Sequence, residues 1–345
     1  MIDGVSWRIL LQDFQTVYQQ LSLQQPLQLP AKTSAFQTWA QKLQTYATSA
    51  ELEQETGFWL EMLEQPPTMT PFSTAIAQPA MASASTVRVK LTQAETQTLL
   101  QEVPAAYNTQ INDVLLTALV QAFREWTNQP WAEHASLLID LEGHGREDLF
   151  PDVTISRTVG WFTAVYPVHL TVDTSDPGLA LMNVKERLRQ IPNHGIGYGL
   201  LRYGREQRAI AQLQSLQQPQ VKFNYLGQFD QKIDQCTKDE INLVTAQESC
   251  GENRSLLGPR DHPLEIIGYV SEGTLHLEWI CSGSLPPSKT IETLAQSFLS
   301  SLRSLIQHCQ DPNTKGYTPS DFSEFQWSNW KQADLDKIQA AIGEN

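Results

Sequence analysis

The seven residues LEGHGRE at 141–147 come one residue after the apolar run ASLLI at 135–139. A short apolar run followed by glycines predicts a buried strand that ends in a turn. Side chains at a strand end are held by the sheet while they face a cleft. Glu142 in such a cleft, shielded from water, is a candidate general base for removing a proton from carbon. The alternative is a solvated, charged turn after a core strand.

The composition is that of a globular protein with a sizeable core. The chain has 345 residues, of which 41% are hydrophobic and 18% are charged, and this length predicts one large or two medium domains. The formal net charge is −14, and no run is dense in lysine and arginine. Binding to nucleic acid or to an anionic lipid surface through bulk charge is therefore not expected.

The spacing of cysteine and histidine indicates no metal site. The four cysteines form no CxxC pair and the seven histidines form no HExxH motif, so we expect no metal and free thiols in a reducing compartment. The first eleven residues lack the basic and long apolar regions of a secretory signal, and no window has the apolar length of a membrane span. We therefore expect a cytoplasmic protein without a membrane partner.

The first third of the chain is predicted to be helical. Apolar residues recur at helical spacing over 4–21, which predicts one buried face, and Asp3 is placed to be the N-cap. Two more helices are predicted, one after residues 33–34 and one at 51–63, with their aromatic side chains in the core. Prolines and small residues between 65 and 85 predict a linker.

The remainder alternates strands and helices. Strands are predicted at 87–91, 135–139, 165–170 and 221–226, and as a hairpin over 264–281. Helices are predicted after the capping-box pair Thr92 and Glu95, after 111–113, and at 177–190, 291–308 and 333–342. This alternation predicts an α/β or α+β architecture in two lobes.

Six segments in collinear order resemble the signature motifs of the epimerization domains of nonribosomal peptide synthetases, which are relatives of the condensation domains. These segments are MIDGVSWRIL at 1–10, DVLLTA at 113–118, EGHGRE at 142–147, RTVGWFT at 157–163 with YP at 166–167, PNHGIGYG at 192–199, and FNYLGQF at 223–229.

The resemblance implies the chloramphenicol-acetyltransferase-like fold, in which two lobes enclose an active-site channel. It implies that residues 1–70 are the helical remnant of an incomplete N-terminal lobe and that 71–86 are a crossover linker. Residues 87–310 would be the C-terminal lobe, and 311–345 a tail or an inter-module linker. No cofactor is expected to be bound covalently, since the substrate would arrive as a thioester on the phosphopantetheine of a peptidyl carrier protein. The implied reaction is inversion of the α-carbon of that aminoacyl or peptidyl group.

One departure from the family concerns its His-His-x-x-x-Asp-Gly motif. The paired histidines would lie just before Met1, and Asp3-Gly4 matches the end of the motif. The chain is therefore predicted to be the C-terminal portion of such a domain, inactive as an isolated fragment, and its missing N-terminal part is a possible partner.

The resemblance also assigns roles to residues. Glu142 is the predicted base. Arg146 is predicted to hold Glu142 or Asp3, the alternative being a surface ion pair. Asn224 and Tyr225 are predicted to donate to the substrate carbonyl oxygen, the alternative being packing at the strand end.

The other two assigned residues are expected to have lesser roles. Asp3 is expected to shape the turn after the histidines rather than to catalyse. His144 is expected to be solvated or satisfied by a partner.

Two other functions remain open at this point. A condensation domain, which forms peptide bonds, shares the fold, although the motifs at Glu142 and at Asn224-Tyr225 mark the epimerizing branch. A remnant that binds a carrier protein without catalysis is the other alternative.

Overall fold

A mixed sheet organises the part of the chain that the structure describes. The computed structural model describes residues 2–69, 72, 81–128, 130, 135–204, 207–228, 248, 251, 255–282, 288–312 and 314–322. Within these residues six strands form one sheet in the order β1-β6-β5-β4-β2-β3. The strands are β1 Ser85–Lys90, β2 Ser136–Gly143, β3 Ala164–Thr171, β4 Val221–Gln228, β5 Leu264–Ser271 and β6 Thr274–Cys281. The central strands β2, β4 and β5 run parallel, and the outer pairs are antiparallel.

Ten α-helices accompany the sheet in the described part of the chain. They are α1 Gly4–Ser22, α2 Phe36–Tyr46, α3 Ala50–Glu64, α4 Gln93–Gln101, α5 Val103–Tyr107, α6 Ile111–Trp126, α7 Pro177–Arg189, α8 Ile196–Tyr203, α9 Gln207–Ser215 and α10 Ser288–Cys309. Large buried side chains from α3, α6, β4, β6 and α10 meet in one hydrophobic cluster, among them Trp59, Phe123, Phe223, Trp279 and Phe298. Burial of such aromatic and aliphatic surface is the main stabilising contribution in a core of this kind.

The alternation of side chains along the central strands separates an apolar face from a charged one. Leu141 of β2 and Phe223 of β4 lie in register, and both belong to the buried cluster. Successive side chains of a strand point to opposite faces. The register one residue earlier therefore places Asp140, Lys222 and Glu265 side by side on the other face of the sheet.

Several local predictions are confirmed by the structure. Asp3 caps α1, since its Oδ1 accepts a hydrogen bond from the Ser6 amide at 2.7 Å. Thr92 and Glu95 form a reciprocal capping box at the start of α4. The hairpin of β5 and β6 is closed by a turn with two residues at positive φ, Glu272 and Gly273. The predicted α/β architecture is also confirmed.

The predicted burial of the apolar face of α1 is wrong. Trp7 is 55% exposed and Phe14 60% exposed, whereas the buried residues of this helix are Ser6 and Ile9. The helix itself is confirmed, but the face that packs on the protein is the one that contains Ser6 and Ile9.

Some predictions lie outside the described residues. These are most of the linker at 71–86 and the helix at 333–342. The division into an N-terminal remnant, a linker, a C-terminal lobe and a tail remains a prediction.

None of the helices in the described ranges is both long and apolar enough to cross a membrane. Those ranges also contain no group of three or more His, Cys, Asp or Glu side chains placed to hold a metal ion.

Candidate functional site

The carboxylate of Glu142 is held by two donors from the neighbouring strand β4. Lys222 Nζ lies 2.6 Å from Glu142 Oε1, and the Asn224 side-chain amide donates a hydrogen bond to Glu142 Oε2. The side chains of Glu142 and Lys222 are each 16% exposed. β2 and β4 are parallel neighbours, and successive side chains of each strand point to opposite faces of the sheet. Glu142, near the end of β2, therefore lies beside Lys222 and Asn224, the two residues of β4 that share its face.

Glu142 lines a cavity of about 260 Å³. The cavity lies against the charged face of the sheet, the start of α1 and the loop before β3, and its wall contains Ile2, Asp3, Gly4, Glu142, Trp161, Thr163, Lys222, Asn224, Leu226, Glu265, Ile266 and Ile267. A partly buried carboxylate in the wall of a cavity is a suitable position for a base, because water competes less for its lone pairs. The alternative of a solvated turn for Glu142 is therefore wrong.

A second charged pair lies in the adjacent row of the same sheet face. Asp140 contacts His262, whose Nε2 lies 2.7 Å from Asp140 Oδ2. Asp140 is the register partner of Lys222. Asp140 therefore contacts His262, whereas Lys222 contacts Glu142.

Arg146 holds Asp3, one of its two predicted partners. Its Nη2 lies 3.1 Å from Asp3 Oδ1 and 3.0 Å from Ser6 Oγ, and its Nη1 donates to the carbonyl oxygens of Ile155 and Thr158. The guanidinium carbon lies 4.0 Å from the centre of the Phe162 ring. With the side chain 8% exposed, the alternative of a surface ion pair is wrong.

These contacts determine the electrostatics of Asp3. Burial by itself would raise the pKa of the Asp3 carboxyl, but hydrogen bonds from Ser6 and Arg146 outweigh it and hold that pKa below its usual value. Asp3 thus stays ionised as the cap of α1 and as the anchor of the loop that contains Gly160, whose carbonyl accepts from the Asp3 amide at 3.0 Å. The predicted role of Asp3 in shaping the turn after the histidines remains a prediction.

Besides Arg146, two of the predicted supporting residues, Tyr225 and His144, are not brought to the cavity wall. Tyr225 lies on the apolar face of β4 and packs against the buried cluster, and burial raises its pKa to about 12. His144 has a side chain that is 63% exposed, and its Nδ1 accepts from the backbone amide of Arg146 at 2.9 Å. These positions support the alternative of packing at the strand end for Tyr225. They also support the expectation that the His144 imidazole is solvated.

Lys222 is the residue of this site that sequence reasoning missed. It lies two positions before Asn224 on a strand with alternating burial, so its side chain shares the face of Asn224. Once Asn224 is a candidate, the two-residue spacing predicts that Lys222 lies on the same face of the strand.

Comparison with known proteins identifies the family to which this chain belongs. The Condensation domain family model matches residues 1–326, and the chain belongs to that family. It is a domain of the nonribosomal peptide synthetase condensation superfamily, with the mixed α/β fold of the condensation and epimerization domains.

Particular relatives are synthetase subunits. One of the subunits of the linear gramicidin synthase of Brevibacillus parabrevis is 44% identical over 327 residues, which are 93% of this chain and 4% of that protein. Surfactin synthase subunit 2 of Bacillus subtilis (strain 168) is 38% identical over 323 residues, which are 94% of this chain and 9% of that protein. The chain therefore spans less than a tenth of the length of these relatives.

Solved structures agree with this assignment. The epimerization domain from the third module of tyrocidine synthetase B is 36% identical with a TM-score of 0.76, and the match covers 89% of this chain and 67% of that one. The first condensation domain of the CDA synthetase is 18% identical with a TM-score of 0.58, over 91% of this chain and 62% of that one. The second likeness concerns the fold alone.

Proposed function

We propose that this chain contributes to the epimerization of the α-carbon of an aminoacyl or peptidyl thioester in nonribosomal peptide synthesis, with Glu142 as the base. The observation that carries the proposal is the Glu142 carboxylate, held by Lys222 and Asn224 in the wall of a cavity. The 36% identity to an epimerization domain over 89% of the chain supports the same reaction.

The substrate chemistry explains why a carboxylate is suitable. Sulfur donates poorly into the thioester carbonyl, so the α-hydrogen is more acidic than in an ester or amide. Glu142 takes this proton, and the two electrons of the C–H bond move into an enolate whose negative charge lies on the carbonyl oxygen. Donors that face this oxygen in a water-poor site stabilise it.

Lys222 and Asn224 are suited to this stabilisation because they line the same cavity as Glu142. Before proton transfer the ammonium of Lys222 faces the negative carboxylate at 2.6 Å. After transfer Glu142 is neutral and the negative charge is on the enolate oxygen. The net charge within the cavity is unchanged, so the Lys222 ammonium compensates the charge in both states with a small movement.

Inversion also requires a proton delivered to the opposite face of the enolate. In the family that the motifs resemble, this group is the second histidine of the paired-histidine motif, and residues 1–345 contain no paired histidines. We therefore expect the isolated chain to be inactive and expect activity when a polypeptide with that motif is supplied.

The partner in this proposal is a peptidyl carrier protein, and the reaction is placed in the cytoplasm. The thioester would be presented on the carrier's phosphopantetheine arm, so the cofactor comes with the substrate. The relatives are subunits of gramicidin and surfactin synthases, which supports a role in nonribosomal peptide synthesis.

The test is exchange of the α-hydrogen. The N-terminal portion of an epimerization domain, ending one residue after its paired histidines, is joined upstream of Met1, so that the spacing His-His-x-x-x-Asp-Gly is restored. A carrier protein loaded with an L-aminoacyl thioester is then incubated with the joined chain in D₂O. We expect deuterium at the α-carbon and a mixture of L and D products, measured by mass spectrometry and chiral chromatography.

Two variants make this experiment specific. Glu142→Gln keeps the shape of the side chain and removes the base, so exchange should be lost. His144→Gln changes an exposed neighbour in the same motif, so exchange should persist. Exchange that survives Glu142→Gln, or none in the unmodified joined chain, would contradict the proposal.

Condensation is the second candidate, because the matching family model is that of the condensation domain. Amide formation between two loaded carriers, without α-exchange, would favour it. Carrier binding without either reaction in the joined chain would favour a non-catalytic remnant.

A further inference from the structure

Three carboxylates occupy positions next to Lys222 on the charged face of the sheet. Asp140 of β2 and Glu265 of β5 are its register partners on the two neighbouring strands. Glu142 lies two positions beyond Asp140 along β2, and therefore on the same face. Charge attraction favours a pair with any of these carboxylates, yet the Lys222 ammonium contacts Glu142 at 2.6 Å. The pairing therefore depends on what surrounds Asp140 and Glu265.

Both register partners of Lys222 lie next to a basic side chain of the segment before β5 or close to it. His262 Nε2 lies 2.7 Å from Asp140 Oδ2, and the two side chains are 11% and 15% exposed. Arg260 Nη2 lies 3.8 Å from Glu265 Oε2. A basic group at this distance reduces the attraction that the carboxylate exerts on a further cation. The Asp140–His262 contact is the closer of the two.

His262 approaches Asp140 from the side remote from Glu142. It lies two residues before Leu264, where β5 begins, and strand β4 lies between β5 and β2. The imidazole therefore reaches across β4, near the start of that strand, to the Asp140 carboxylate. Because β2, β4 and β5 are parallel, Glu142 lies toward the opposite ends of the strands.

The contact with Asp140 is the hydrogen bond that the described part of the chain provides for the His262 ring. The residue is 9% exposed, and its Nδ1 is buried without a hydrogen-bond partner among the described residues. A buried polar atom without a partner lowers the stability of the fold. A histidine at this position therefore has a cost that its Nε2 contact with Asp140 has to offset.

We propose that His262 is a positioning residue of the Glu142 site, because it engages Asp140 and so leaves the Lys222 ammonium to Glu142. The inference rests on the proposed function, in which Lys222 compensates the charge of the enolate. Without His262, Asp140 would be an unpaired carboxylate in register with Lys222 and would attract the ammonium. Glu142 and the enolate would then lack the cation.

Substitution of His262 tests the effect on the reaction in the joined chain. His262→Leu removes the hydrogen-bond donor and retains much of the volume, so α-hydrogen exchange should slow by about 10-fold or more. His262→Gln keeps an N–H donor of similar reach, so most of the rate should be retained. His276→Leu is the matched control, since this histidine stacks on Tyr269 of the β5–β6 hairpin, and it should leave the rate unchanged.

A double variant separates positioning from stability. When Asp140→Asn is added to His262→Leu, no carboxylate at 140 competes for Lys222, so exchange should recover by about 10-fold. A pair that only stabilised the fold would give no recovery, since both of its members would be lost. Urea unfolding followed by circular dichroism establishes that each variant is folded under the conditions of the assay.

Crystal structures of the variants of residues 1–345 follow the ammonium without any reaction. In His262→Leu, Lys222 Nζ should lie closer to the Asp140 carboxylate than to that of Glu142. In the double variant it should contact Glu142 again. This measurement distinguishes the two proposals, because an unmodified joined chain without exchange would contradict only the proposed function.

Three outcomes would overturn the role of His262. The first is exchange at the unmodified rate in His262→Leu. The second is a double variant that is no faster than His262→Leu. The third is a crystal structure of His262→Leu in which Lys222 still contacts Glu142.

Discussion

Arg146 connects the start of α1 to the loop before β3, and replacing it by methionine should loosen that connection. The guanidinium contacts Asp3, Ser6 and two loop carbonyls, and it lies over the Phe162 ring. Methionine keeps an unbranched apolar side chain over that ring and removes every polar contact. The substitution therefore isolates the ion pair and its hydrogen bonds from the packing.

The expected cost follows from burial. The side chains of Arg146 and Asp3 are 8% and 7% exposed, and removing one partner of a buried pair costs about 3–5 kcal/mol. Asp3 keeps the amide hydrogen bonds from Ser6 and Phe162, so we expect a value near the lower limit, about 3 kcal/mol. Because α1 buries few other side chains, part of this loss should be local detachment of the helix.

Urea unfolding followed by circular dichroism gives the global free energy of unfolding, and hydrogen exchange read by mass spectrometry gives the protection of α1. Arg157→Met is the matched control, since Arg157 also links a loop to α1 through Asp13, but with side chains 24% and 29% exposed. Such a partly exposed pair should contribute at most about 1 kcal/mol. A double-mutant cycle of Arg146→Met with Asp3→Asn should give a coupling of about 2 kcal/mol.

Equal effects of Arg146→Met and Arg157→Met, both below about 1 kcal/mol, would refute the argument from burial. A coupling near zero would show that the loop carbonyls, and not Asp3, account for the role of Arg146.

Three further predictions concern the site and the motif around it. In the joined chain, Lys222→Met should slow α-hydrogen exchange by about 100-fold or more while Lys222→Arg retains most of it, because the cation compensates the enolate; equal rates would argue against that role. Glu147 raises the pKa of His194 by hydrogen bonding, so the pair should stabilise its loop below His194's ordinary pKa and lose this contribution as the pH rises through the raised one. NMR titration of His194, with Glu147→Gln returning its pKa toward 6.5, checks this. Gly145→Ala should cost about 2 kcal/mol or more in urea unfolding, because Gly145 has φ +64° and a Cβ would lie 1.8 Å from a carbonyl oxygen; a neutral effect would contradict it.

The local features of the fold could be predicted from the sequence, because their signals lie within a few residues. The cap at Asp3, the capping box at Thr92 and the hairpin turn at Glu272 each depend on a side chain or a backbone angle near the element that they terminate. The position of Glu142 at a strand end was likewise visible as an apolar run followed by glycines.

The partners of these residues could not be predicted in the same way. The contact between Lys222 and Glu142 depends on the parallel register of β2 and β4, which no local spacing encodes. Arg146 had two plausible carboxylates in the sequence, and the choice of Asp3 depends on how the loop before β3 packs on α1. For α1 itself, apolar periodicity identifies the apolar face, but it does not say whether other parts of the chain pack on that face.

The parallel pairing of β2 and β4 has a consequence for how the gene can change. Glu142, Lys222 and Asn224 meet because the two strands keep the same phase of alternation. Losing or gaining one codon inside β4 would exchange the faces, turning Phe223 toward the Glu142 cavity and a lysine into the apolar interior. Indels in the long connection between the strands preserve that parity. Length variation among homologues should therefore accumulate between these strands and be purged within them.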